Sequence, residues 1–109
     1  MYIPHRIPGP TFRVMLILTD YVCKHKRPIG LRALATLCNT TCLALIAIVK
    51  RIGRDGVALR TPFLDAWVVN DETGRPNEKF LIQKIELGYT DDGVDFDEFC
   101  RVERERFFH

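Results

Sequence analysis

The sequence predicts an α+β domain of three helices, a β-hairpin and a C-terminal helix. Three observations lead there. Apolar segments with helical start and stop signals fill residues 12–54. Two β-branched and aromatic runs, Trp67-Val68-Val69 and Phe80-Leu81-Ile82, flank the turn-forming stretch Asn70–Glu78. Asp95, three residues before Glu98, opens a last helix in the manner of a capping box. A length of 109 residues with 47% apolar and 28% charged suits one globular domain with one core, which excludes a large two-lobed enzyme.

Residues 1–10 hold three prolines and a glycine, so they predict an extended arm rather than a helix interior. Thr11 can cap the next segment. Residues 12–26 predict a helix whose basic end, Lys24-His25-Lys26, suits the negative pole of the helix dipole. Pro28 stops it. Residues 31–38 predict a short Leu- and Ala-rich helix. Asn39 tolerates the left-handed conformation that ends it, and Thr40 or Thr41 can cap the next helix. That helix covers about residues 42–54 and ends near Asp55-Gly56. Val57–Leu59 adds a short strand before the hairpin, whose long polar tip carries Gly74 and Pro76. Residues 91–94 turn. In the final helix Phe96, Phe99, Cys100 and Phe107 share about one face, interrupted by Glu103. The expected divisions are an arm over 1–10, a domain over 11–90 and a C-terminal helix over 91–109.

The formal net charge of +2 hides an asymmetry. Residues 1–60 carry ten Lys/Arg against Asp20 and Asp55, a net of +8; residues 61–109 carry six against twelve Asp/Glu, a net of −6. A polyanion-binding face or a simple segregation of solvated charges both fit. No apolar run approaches the ~20 residues of a membrane span, and no secretory signal is recognisable, so a cytoplasmic protein is expected. In that setting Cys23, Cys38, Cys42 and Cys100 are expected as free buried thiols. The three histidines are scattered, no calcium-loop or phosphate-loop pattern exists, and Cys38 and Cys42 lack a second close pair for zinc. Neither an enzyme nor a cofactor is expected.

The order helix, helix, turn, helix, hairpin resembles the winged helix-turn-helix family over roughly residues 11–87. The resemblance is carried by Leu34-Ala35 in the first motif helix, by Cys38-Asn39-Thr40 at the turn, and by Leu45, Ile48 and Ile52 in the second. The family usually has glycine where Asn39 stands. The resemblance implies duplex DNA as partner, with the second helix in a major groove, in a small homodimeric transcriptional regulator such as a repressor. Arg32, Lys50, Arg51, Arg54, Arg75 and Lys79 would hold phosphates, Thr40 would sit at the motif turn, Thr41 with Lys50 would meet base edges, and Leu43 could touch a thymine methyl. Phe96, Phe99 and Phe107 would form the dimer contact. One feature argues otherwise: the outward positions of the second helix include Leu43, Ile46 and Ala47, which are poor base readers. A protein-interaction module in a replication, phage or secretion assembly is therefore the alternative.

Overall fold

The structure, a computed structural model, describes residues 9–108. Its order is α1 (Gly9–His25), β1 (Ile29–Gly30), α2 (Leu31–Leu37), α3 (Cys42–Leu59), a 3-10 helix (Leu64–Trp67), β2 (Val68–Val69), α4 (Glu78–Glu86) and α5 (Phe96–Arg106). The predicted α+β winged arrangement is not what forms: five helices dominate, and the two short strands pair in parallel, Ile29 with Val68 and Gly30 with Val69. Residues 1–8 of the expected arm lie outside the described residues, while Gly9 and Pro10 begin α1, where a proline's missing N–H is no loss.

The first three helices follow their local signals. Asn39 takes a left-handed φ of 53° behind α2, and Thr41 caps α3 by accepting a hydrogen bond from the Ala44 N–H at 3.1 Å. The chain bends by 98° between α2 and α3, inside the range of helix-turn-helix pairs. Val14, Leu18 and Val22 of α1 meet Leu34, Ala35, Leu45 and Ile52 in a first core cluster, together with Ile29, Trp67 and Val68. Gly30 offers no side-chain cap to α2, so Asp71 reaches back across the sequence and accepts from the Arg32 N–H at 3.1 Å.

The departures begin at Asp55. α3 runs on to Leu59 and stops only at Arg60, whose φ is 55°. Gly56 is a packing notch rather than a stop: a Cβ there would press on the Phe63 ring. The expected strand at Val57–Leu59 is therefore helix. The expected hairpin also fails on both arms. Val68-Val69 pairs with β1, and Phe80-Leu81-Ile82 lies inside α4. Asn77 caps α4 by accepting from the Lys79 N–H at 2.9 Å. Asn70–Arg75 closes on itself as a turn, with the Asn70 side chain accepting from the Glu72 and Thr73 N–H groups. A second core cluster, Phe63, Ala66, Phe80, Phe99 and Cys100, joins the 3-10 helix to α4 and α5. Asp95 caps α5 by accepting from Glu98 N–H at 2.8 Å, as the sequence predicts.

All four cysteines are free, but only Cys38 and Cys100 are buried; Cys42 is half-buried and Cys23 exposed. Burial pushes the Cys100 thiol up to about 11 and raises Cys38 as well. Iodoacetamide should therefore modify Cys23 first in the native protein and reach Cys38 and Cys100 only after unfolding. A buried thiol whose folded pKa is raised contributes stability that is complete below about pH 9 and declines as pH rises toward 11. The urea midpoint of the native chain should fall over that window, and Cys100→Ala should flatten the fall. Equal labelling of all four thiols in the native state would contradict the packing of α2 and α5.

Candidate interaction surface

α3 buries one face and leaves the opposite one open. Leu45, Ile52, Gly53 and Gly56 point into the protein. Leu43, Ile46, Ala47, Lys50 and Arg54 are exposed and recur at helical spacing, so they form one stripe. Leu43 is 81% exposed and Ile46 46%. The stripe continues into a cleft of about 310 Å³ between α3 and α4. Ile46, Val49 and Lys50 line it from α3, and Lys79, Phe80, Ile82, Gln83 and Glu86 from α4. Leu31, Val68 and Val69 add apolar wall, and Asp65 lines the cleft from the 3-10 helix.

Beside the cleft a buried ion pair fixes α4 to the 3-10 helix that packs against α3. The Lys84 ammonium is fully buried and donates to Asp65 Oδ2 at 2.8 Å and to Gln83 Oε1 at 2.7 Å. It lies 4.6 Å from the centre of the Phe63 ring and 4.7 Å from that of Phe80, so two aromatic faces replace the water it has lost. Gln83 in turn donates from Nε2 to the Lys50 carbonyl at 2.8 Å, which ties α4 to α3 directly. Gly53 makes the approach possible, since a Cβ there would collide with Asp65 Oδ2, Gln83 Oε1 and Lys84 Nζ together. Burial pushes the Asp65 carboxyl up, the Lys84 charge opposes it, and Asp65 Oδ1 is buried with no partner.

The expected DNA contacts do not form a continuous set. Lys50 and Arg54 are exposed on the stripe, with Leu43 on the same face and Thr41 at the head of the helix. Thr40 is half-buried in the turn. Arg51 is half-buried, stands 3.7 Å from Asp55, and leaves its Nε without a partner. Arg32 is exposed at the start of α2, but Asp71 already occupies the free N–H there and brings a negative charge to it. Arg75 is no wing tip: it pairs with Asp97 at 2.8 Å and lies over the Phe96 ring. Lys79 sits on the α4 wall of the cleft, across from Lys50. The three phenylalanines expected at a dimer contact have internal partners. Phe99 is buried against Phe80 and Tyr89, half-buried Phe96 packs on the same cluster, and Phe107 packs edge-on against Trp67.

Lys84, Asp65, Gln83 and Gly53 carry the geometry; the sequence reading passes over the first three and takes Gly53 as part of the basic exit of the second motif helix. The available signal was Asn77-Glu78-Lys79, a cap residue with an acid in the first helical turn. No described helix is long and apolar enough on its own to cross a membrane.

Gly53→Ala should lower stability by roughly 2–4 kcal/mol, because overpacking and displacement of the ion pair outweigh the gain in helix propensity. Lys84→Met alone should cost about 3–5 kcal/mol, and adding Asp65→Leu should recover most of it, since the pair removed whole leaves no bare charge. Urea unfolding followed by circular dichroism measures all three. A Gly53→Ala protein as stable as the native one, or a double variant no better than Lys84→Met, would remove the pair from its organising role.

No family model matches this chain, and neither does a curated protein or a solved structure.

Proposed function

We propose that the chain is a small non-catalytic docking module that binds a protein partner through the outer face of α3 and the adjoining α3–α4 cleft. The observation that carries this reading is the composition of the stripe. Leu43, Ile46 and Ala47 stand where a DNA-reading helix needs hydrogen-bonding side chains, and Ile46 joins them to a cleft whose apolar wall is Leu31, Val49, Val68, Val69 and Ile82. Charge selects the occupant. Lys50 and Arg54 edge the stripe, and α4 adds Lys79 and Glu86 to the cleft lining, so the cations outnumber the exposed acid there. A second copy placed symmetrically on this face would bring Lys50 and Arg54 against their own images. The fitting partner is an amphipathic helix with an apolar face and acidic flanks. A cytoplasmic setting belongs to the same proposal and is supported by four unpaired cysteines.

A second reading is duplex DNA binding without a wing. It is favoured by the 98° bend between α2 and α3 and by the basic first half of the chain. The loss of Arg75 to Asp97 and the presence of Asp71 at the start of α2 weigh against it.

One experiment separates the two. Fluorescence anisotropy is measured with a labelled amphipathic Leu/Glu helix, with its Leu/Lys counterpart, and with a random duplex at about 50 and about 200 mM salt. The docking reading expects the Leu/Glu helix to bind best. Leu43→Asp and Ile46→Asp should each weaken it about tenfold or more, as the burial of one large apolar side chain implies. Both side chains face solvent, so folding should change by no more than ~0.5 kcal/mol. Duplex binding that falls steeply with salt and survives Leu43→Asp would overturn docking in favour of DNA. A dimer by light scattering that Leu43→Asp dissolves would make a second copy the occupant.

A further inference from the structure

The α3–α4 cleft differs in kind from the stripe that leads to it. Leu43 and Ala47 stand on one helix, outside the cleft lining. The accessible apolar lining of the cleft is Leu31, Ile46, Val49, Val69 and Ile82, drawn from α2, α3, β2 and α4. Ile82, at 48% exposed, is the most open of the five. Four elements thus meet around one hollow of about 310 Å³. An apolar cavity of about 150 Å³ is enough to take a benzene ring.

The polar side chains of the lining are already engaged within the protein. Asn70 Oδ1 accepts from the Glu72 N–H at 2.8 Å, and Asn77 Oδ1 from the Lys79 N–H at 2.9 Å. Gln83 uses both ends of its amide, donating to the Lys50 carbonyl and accepting from Lys84, and Asp65 Oδ2 accepts from Lys84 as well. A donor entering the cleft would find these acceptors taken and would lose its water without compensation, whereas an apolar group has no such loss. The charges stand at the solvent side. Lys50, Lys79 and Glu86 are exposed and make no ion pair among the described residues.

We propose that this cleft is the specificity pocket of the docking surface and takes one aromatic side chain, a phenylalanine, from the partner helix. The ring lies against Val49, Val69 and Ile82, and acidic residues beside it on the partner meet Lys50 and Lys79. A leucine there would leave part of the volume unfilled, and an alanine most of it, with the contacts of the lining lost in proportion. Interfaces concentrate their affinity in a few such anchors seated in pockets. The inference rests on the docking reading for its partner and adds the residue by which that partner is selected.

Each leucine of the labelled Leu/Glu helix is replaced in turn by Phe, by Ala and by Gln, and anisotropy is measured against the full chain. At one position Phe should bind severalfold tighter than Leu. Ala and Gln there should bind about tenfold or more weaker than Phe, as the loss of a large buried side chain implies. Ile82→Ser removes an exposed part of the cleft wall and should bring the Phe and Leu peptides level. Leu43→Asp, outside the cleft, should weaken both alike and keep their ratio. Urea unfolding checks that both variants are folded. Toluene supplies the ring without the helix. In methyl NMR spectra of the full chain it should move Val49, Val69 and Ile82 saturably, and leave Val14 and Val22 of the first core cluster in place. Helix binding in which no position favours Phe, or a Phe preference that Ile82→Ser leaves intact, overturns the pocket and keeps the docking surface. Toluene binding at these methyls when no helix binds overturns the docking surface and keeps the pocket. If neither binds, both fall.

Discussion

The architecture depends on one buried charge. Lys84 lies with no solvent exposure between two aromatic rings, bonded to Asp65 and Gln83. An ammonium in such a place is tolerable only with a counter-charge and satisfied donors. Each requirement fixes an element. Asp65 has to sit on the 3-10 helix next to Phe63, α4 has to present Phe80 and Lys84 from the same face, and α3 has to be bare at residue 53. The 3-10 helix also supplies Ala66 to one core cluster and Trp67 to the other, so the ion pair lies where the two clusters meet. An ion pair of this kind adds little net stability over well-packed apolar residues; its effect is on arrangement, because any shift of α4 along α3 would strand a charge.

The same pair explains what the sequence hid. Helix starts and stops made by local chemistry were legible: the left-handed Asn39, the Thr41 cap, the Asp95 cap and the 98° turn all follow from residues within a few positions of one another. α4 was not. Its buried positions are Phe80 and Lys84, and a lysine on the inward face erases the apolar periodicity by which a helix is recognised. What remained visible was Phe80-Leu81-Ile82, which suits a strand. The glycines of α3 misled for a related reason. Gly53 and Gly56 suit a helix end when read locally, yet both serve close approach by groups distant in sequence, the ion pair in one case and Phe63 in the other. Tertiary demands that place a charge inside and a glycine mid-helix cannot be read from propensity.

The candidate surface was half legible. Leu43, Ile46, Ala47 and Lys50 could be placed on the outer face of α3 from spacing alone, and that is where they lie. The second wall could not, because it is made by α4. Replacing a hairpin with a helix turns a flat recognition helix into one side of a cleft. It also moves Lys79 from an expected wing to that cleft, and leaves Arg75 bound to Asp97.

Charge segregation then takes a different meaning. In a DNA-binding protein the cations of the first half would converge on one backbone-tracking face. Here they divide. Lys50 and Arg54 border an apolar stripe, Arg51 faces Asp55, Arg32 sits beside Asp71, and Lys26 lies over Phe108. Two acidic residues of the second half, Asp71 and Asp97, return across the chain to groups that would otherwise be free for phosphate. Among the described residues every ion pair forms within one half of the chain, and Asp71 reaches from the acidic half to the basic one by accepting from the Arg32 N–H. On the outer face of α3 the cations Lys50 and Arg54 adjoin the exposed apolar side chains Leu43 and Ile46, and the proposed docking of an acidic amphipathic helix rests on that pairing of charge with apolar surface.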